Sequence, residues 1–587
     1  MAANEVTAEA ADGPVAVQLV RALEQLGVRL VFGLPGVHNL ALWSALRDSP
    51  IELVGVRHEQ TAAYAADGQA RVTDQLGVAL TTTGPGAANA IAATGEAWAS
   101  GSPVLVLATD IPSTLRRPGA YRGVLHETRD QAAMFAPVVK RTFRVSDPAG
   151  AAETLLRAGE HALRAPAGPV YVEIPTDFLS ARAPQPELAR RSAEGPVATD
   201  GEIARAAQIL QCAARPLLWV GGGAARAGAG EAVQAIAQRL AAPVIETFGA
   251  RGLVSPDHPC WVGYAPHFWE VGDLWDEADA VLAIGTDFDG TMTQNWAMPQ
   301  PPALVSINVS GADAADRNYR SDVAIVGDAR ETAGRLFDKL AGGRDAQATR
   351  IRLAGLRARL AERLEAEEAE PLALIADLEH SVPADTAVAV DMCIAGYWVG
   401  ATRRFTAPRR LGYPLGWGTL GFGFPASIGM AIARAAPTLC VCGDGGFLYA
   451  VGELAVVAEQ RPALTVLIVD DGGYGMLRYD QRRTGQEPFG VDFASPDFVA
   501  LARSFGVPAR RVASLGEPLR DALAQAIGAG GPTVLVLEAA LGPPPNTSPR
   551  WYRAGGAAPG HPDRRDAARG GSAGPDPEPG GAAGPEG

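Results

Sequence analysis

Short runs of β-branched and aliphatic residues alternate with longer Ala-rich stretches along almost the whole chain, and this alternation limits the fold more than any other feature. A short apolar run bounded by turn residues reads as a buried strand, and a longer Ala-rich stretch reads as a helix. In alternation they build parallel sheets with helices on both faces. The first third predicts strands at Leu30–Phe32, Leu53–Val56, Val78–Thr82, Val104–Ala108 and Val170–Ile174. The middle predicts strands at Leu217–Val220, Val244–Glu246, Val281–Ile284 and Leu304–Val309, and the last third at Ala387–Val390, Leu439–Cys442, Leu464–Val469 and Val534–Leu537. A Pro- and charge-rich stretch, 182–200, reads as a linker, and a charged helical segment, 345–369, is expected to pack outside the domains.

A chain of 587 residues is too long for one core. The expected class is α/β, with three doubly wound parallel-sheet domains over 14–181, 200–344 and 370–542. Beyond these, 543–587 is dominated by Gly, Pro, Ala and Asp, too little apolar surface to offset the entropy of ordering, so a disordered tail is expected.

The formal net charge of −14, with both signs interspersed, gives no basic patch for nucleic acid, though it leaves room for a local anion site. The five cysteines, Cys212, Cys260, Cys393, Cys440 and Cys442, lack the dense spacing of a disulfide scaffold, and the last two read as one face of a strand. Met1–Pro14 has neither a basic start nor an apolar run, so no signal peptide is expected. No apolar stretch approaches about 18 residues, so no membrane contact is expected and the cytoplasm is the default compartment.

Two segments point to chemistry. Gly443-Asp444-Gly445-Gly446 follows one strand directly, and Asp470-Asp471-Gly472-Gly473-Tyr474-Gly475-Met476 follows the next. Carboxylates at neighbouring strand ends can hold a hard cation, and glycines let backbone N–H groups approach a phosphate. Read alone, Gly-Asp-Gly is equally a tight turn with a helix cap. The pair of segments at this spacing resembles the diphosphate-binding motif of thiamine diphosphate enzymes. That resemblance implies Mg2+ held by Asp444, Asp471 and the Gly473 carbonyl, with Gly443, Gly445, Gly446, Tyr474, Gly475 and Met476 around the cofactor. The sequence departs from the family at Asp470 and Asp471, where asparagines are expected. Aspartate still offers oxygen ligands but adds negative charge facing a diphosphate. Two unit charges about 4 Å apart interact by roughly 1 kcal/mol in water and roughly 4 at an effective dielectric near 20. A working site with altered metal preference is expected.

Arg57-His58-Glu59-Gln60, the helical Ala66-Asp67-Gly68-Gln69-Ala70-Arg71 and the loop Gly84-Pro85-Gly86-Ala87-Ala88-Asn89 resemble the pyrimidine-binding domain of the acetolactate synthase and 2-oxo acid decarboxylase branch (benzoylformate decarboxylase-like) of that superfamily. The bland reading of Glu59 is a helix-start carboxylate. The resemblance makes it the group that hydrogen-bonds the pyrimidine ring, so that a C2 carbanion forms and attacks a 2-oxo acid. Loss of carbon dioxide leaves an enamine, which is protonated or ligated to a second carbonyl. In Gly416-Trp417-Gly418-Thr419-Leu420-Gly421, the same resemblance puts Leu420 beneath the bent cofactor and the Gly418 carbonyl against its amino group. Because the family sets one subunit's pyrimidine domain against another's diphosphate domain, a homodimer or homotetramer is implied.

The substrate pocket is expected to gather Gly33–Asn39, Leu125-His126-Glu127 and the segment after Gly475, with His38 and His126 as candidates for proton handling. The tryptophan that biosynthetic acetolactate synthases carry after the metal loop is absent, and Asp480 stands near its place. The loop Pro35-Gly36-Val37-His38-Asn39 resembles decarboxylases, including those acting on a guanidino-substituted acid. An acetolactate synthase catalytic subunit with FAD remains the alternative within the family; Gly221-Gly222-Gly223 after a strand is a weak dinucleotide signal, since members with and without FAD share this domain shape. A non-catalytic cofactor-binding homologue is the alternative of another class.

Overall fold

Val, Ile and Leu dominate the predicted strands on both faces, and such strands become the interior of parallel sheets, as they do here. The computed structural model describes residues 12–117, 119–190 and 195–544. These fall within one compact unit, and a second, 548–587, lies outside the described residues, as does most of the expected tail.

Three parallel sheets organise the chain. In the first the strands run Glu52–Gly55, Leu30–Gly33, Gly77–Thr81, Val104–Asp110, Val170–Pro175, Arg141–Arg144. The middle sheet runs Val244–Glu246, Pro216–Val220, Ala280–Ile284, Leu304–Asn308, Val323–Val326. The third runs Leu411–Gly412, Ala387–Val390, Thr438–Gly443, Leu464–Asp470, Thr533–Glu538, Ala509–Val512. Every pairing within them is parallel, and the first and third sheets share one strand order. Each reverses direction between its first and third strands in sequence, and ligands in such sheets bind beyond the strand ends at that reversal.

The first and third sheets share a core through the helices Glu59–Thr73 and Gly423–Arg434. Two glycines make their approach possible. A Cβ on Gly68 would lie 2.2 Å from the Ala426 carbonyl oxygen, and one on Gly429 would lie 1.9 Å from that of Ala65.

Two expectations are corrected. The charged segment does not pack outside the domains: as helix Gln347–Glu367 it buries Leu353, Leu356, Leu360 and Leu364 in a core shared by the middle and third sheets. Its three- and four-residue leucine spacing is a core-facing stripe, hidden in the sequence by the charges between. The linker is not wholly irregular either, for Arg182–Ala183 pairs antiparallel with Gly13–Pro14. Cys440 and Cys442 do lie on one face of a buried strand.

Candidate active site

At the end of the third sheet's central strand, Gly443 begins the short helix Asp444–Leu448, and Asp444 is only 1% exposed. Its Oδ2 accepts from Gly473 N at 2.8 Å and from Ser495 Oγ at 3.2 Å. Ser495 Oγ also stands 2.8 Å from Asp470 Oδ1, so its one proton lies between the two carboxylates. Gly473 sits at φ +155, where a Cβ would lie 2.2 Å from the Val491 carbonyl, so no side chain fits. Asp471 turns its Oδ1 inward without a hydrogen-bond partner, the Arg478 guanidinium standing 3.9 Å away.

Burial pushes the Asp444 carboxyl up to about 6, with Asp471 and Asp470 adding to the rise against the Gly445 N–H. Burial likewise raises Asp471, and Arg478 only partly opposes it. A buried carboxylate beside a half-buried one with an orphaned inward oxygen fits a site completed by a cation. Among the described residues no group of three or more His, Cys, Asp or Glu side chains is arranged to hold a metal alone. A cation here would therefore need backbone and phosphate oxygens as well, which suits Mg2+.

These residues border a cavity of about 120 Å³. Leu420, Gly443, Asp444, Gly445, Gly446, Asp471, Gly473, Tyr474, Gly475 and Met476 all line it. Gly418, at φ +69, precedes Leu420 in the same loop. Asp391 braces that loop, a residue the sequence reading passed over. Its carboxylate, 1% exposed, accepts from the N–H groups of Met392, Gly421 and Gly423 at 2.8, 3.1 and 2.9 Å. It ends the strand Ala387–Val390 at the sheet's reversal, the one clue that could have found it.

A second cluster forms at the reversal of the first sheet. Glu59 opens the helix Glu59–Thr73, is 6% exposed, and accepts from Asn89 Nδ2 at 3.0 Å. Gly86 leaves it room, since a Cβ there would lie 3.1 Å from Glu59 Oε1. Pro85 starts the short helix Pro85–Ala88, and Gly84 before it takes φ +66, with its Cβ position 2.6 Å from the His126 carbonyl. His126 itself is held at φ +67, a strained value for a non-glycine residue. The His38 and His126 rings meet edge to face at 5.5 Å, and His38 Nδ1 lies 2.7 Å from Thr83 Oγ1. Burial and His126 lower the His38 pKa, while Asp110 raises it.

The structure thus gathers the sequence-predicted residues into two groups. None of the residues lining the cavity beside Asp444 comes from the first sheet's domain. In the middle domain Gly221 and Gly223 pack on the chain itself: their Cβ positions would lie 2.3 and 2.9 Å from the Gly285 carbonyl oxygen. No helix among the described residues is long and apolar enough to cross a membrane.

Comparison with known proteins bears on both groups. Residues 14–134 match the N-terminal binding domain of thiamine pyrophosphate enzymes, 203–336 their central domain, and 391–537 their C-terminal binding domain. The chain is 37% identical over 525 residues to a probable 2-ketoarginine decarboxylase of Pseudomonas aeruginosa, covering 88% of this chain and 93% of that protein. It is 30% identical over 544 residues to a probable acetolactate synthase large subunit of Methanocaldococcus jannaschii, covering 88% and 90%. An acetolactate synthase of Bacillus subtilis is 30% identical over 529 residues, covering 88% and 91%.

Proposed function

The chain belongs to the thiamine pyrophosphate enzyme family, and on that footing we propose that it decarboxylates a 2-oxo acid with thiamine diphosphate and Mg2+, then protonates the product or joins it to a second carbonyl. The observation that carries this reading is the buried carboxylate of Asp444 beside the half-buried Asp471, whose inward Oδ1 has no hydrogen-bond partner, at the strand ends of the third sheet.

In this reading Asp444, Asp471 and the Gly473 carbonyl hold the cation, while Gly443, Gly445 and Gly446 leave their backbone open to the diphosphate. Leu420, on the cavity wall, would support the cofactor rings, and the Gly418 carbonyl would be the acceptor for its amino group. Glu59, oriented by Asn89, holds a proton at the pyrimidine nitrogen. When bound, the cofactor supplies a nucleophilic carbon and an electron sink that let a 2-oxo acid lose carbon dioxide. His38 and His126 move a proton at the substrate oxygens or orient its carboxylate. Met476, Leu477 and Leu541 on the cavity wall exclude water from the reacting carbon.

Glu59 and Asp444 lie in different clusters of one chain, which supports sites shared between subunits of a cytoplasmic homodimer or homotetramer. For the substrate we favour a 2-oxo acid with a cationic, guanidino-type tail. The P. aeruginosa relative is named for such a compound. Asp480, its side chain 18% exposed, lies one helical turn past Met476 and 3.3 Å from Arg483.

A panel of 2-oxo acids, including pyruvate and 5-guanidino-2-oxopentanoate, incubated with protein, thiamine diphosphate and Mg2+ tests this. Carbon dioxide release with the guanidino acid preferred is the expected result, and no release from any acid would overturn it. Acetolactate from pyruvate by a yellow, flavin-bearing protein would favour the synthase reading, which the acetolactate synthase relatives support.

A further inference from the structure

Among the buried carboxylates that do not face the cofactor in this reading, Glu453 reaches the backbone just before Glu59. We propose that Glu453 is the positioning residue that sets Glu59 in place. Glu453 ends the turn Val451–Glu453, shortly after the helix that carries Asp444, and is 1% exposed. Its partner lies far away in sequence: both Oε1 and Oε2 accept from Arg57 N at 3.1 Å. The Arg57 side chain is tied down in turn, donating to Glu459 Oε2 at 2.8 Å and to the Gly55 carbonyl at 2.9 Å.

Arg57 lies in the short link between the strand Glu52–Gly55 and the helix Glu59–Thr73. The first N–H groups of a helix have no partners within it and attract an anion. A carboxylate that grips this link fixes where the helix starts, and Glu59 is its first residue. Asn89 then holds the Glu59 carboxyl from the other side. Holding two domains together does not require Glu453, because the helix pair Glu59–Thr73 and Gly423–Arg434 already does so through a shared core. Apolar side chains serve adhesion at less desolvation cost than a buried charge. What a carboxylate adds is a fixed point on the backbone.

The inference rests on the role given to Glu59, and its test is separable from the choice of substrate. In Glu453→Gln the carboxamide presents only one acceptor to Arg57 N. We expect kcat to fall about 10²-fold, the order that a misplaced catalytic group costs. KM and the affinity for thiamine diphosphate should move by less than about threefold. Deuterium exchange at C2 of bound thiamine diphosphate, which needs no substrate, should slow in step with kcat. In the cofactor-free protein, amide exchange across 57–61 should quicken. Glu459→Gln should stay near wild type in all five, and Glu453→Asp should recover part of the loss.

Wild-type C2 exchange in Glu453→Gln overturns the proposal, as does a rise in KM with kcat untouched. Should Glu453→Gln fail to fold, Glu453→Asp decides: slowed exchange supports the proposal and wild-type exchange refutes it. A wild-type protein that exchanges C2 but consumes no 2-oxo acid refutes the substrate reading alone.

Discussion

Replacing Arg71 with leucine should destabilise the protein by about 3–5 kcal/mol, the range for removing one partner of a buried ion pair. The geometry sets this size. Asp67 and Glu96 have fully buried side chains, and Arg71 is 9% exposed. The guanidinium grips Asp67 with two bonds, at 2.9 and 2.7 Å, reaches Glu96 at 3.1 Å and Ser100 at 2.8 Å, and donates to the Tyr413 carbonyl. Its Cζ lies 4.6 Å from the Phe422 ring centre. Without it Asp67 remains buried with no counter-charge, while Glu96, raised by burial, escapes part of the cost by taking up a proton. At about 2–4 °C per kcal/mol for a domain of about 150–250 residues, the melting temperature of the first sheet's domain should drop by roughly 6–20 °C. Arg71→Lys keeps the charge but cannot serve every partner at once, and should lose about 1–3 kcal/mol. Removing the pair together, as Arg71→Leu with Asp67→Leu, should recover much of the deficit. Urea unfolding of the three variants is the assay. An Arg71→Leu protein within about 1 kcal/mol of wild type would refute the reasoning, since a stranded buried carboxylate should cost about 3–5 kcal/mol.

Gly429→Ala pushes a methyl into the Ala65 carbonyl and should cost about 1–3 kcal/mol, visible as a lower melting temperature. Asp471→Asn removes one of the charges facing the cation, and should weaken Mg2+ binding by about fivefold, the equivalent of roughly 1 kcal/mol; titration calorimetry with the cofactor present measures it. Glu173 is pushed up to about 7, first by burial and then by Asp110, from an ordinary value of 4.5. A carboxyl raised on folding contributes stability in full below its unfolded value and loses it as pH climbs through the folded one. The unfolding free energy should therefore decline from pH 4.5 to about 7, and Glu173→Gln should flatten that decline.

Four strands missing from the sequence reading share a position. Arg141–Arg144, Val323–Val326, Leu411–Gly412 and Ala509–Val512 all lie at sheet edges. Arg141–Arg144 and Ala509–Val512 carry arginines and Leu411–Gly412 is only two residues long, so these three lack the continuous apolar run that betrays a strand, whereas Val323–Val326 has such a run and was overlooked. Interior strands were legible because burial on both faces demands that run. In the site, Asp444 and the glycines could be found because their neighbours in sequence are their neighbours in space. Ser495, Asp391 and Glu453 act on residues far along the chain, through hydrogen bonds that leave no local pattern. The leucine stripe of Gln347–Glu367 is a milder case, legible in its spacing once charge is set aside.

Mixing two inactive variants tests the central claim most directly. Glu59→Gln and Asp444→Ala chains, co-expressed with different tags, would be purified as hybrid dimers and assayed for carbon dioxide release. With one chain's Glu59 serving its neighbour's Asp444, a hybrid keeps one intact site of two and should show about half the wild-type rate, although each parent is inactive. Hybrids as inactive as both parents would contradict the account.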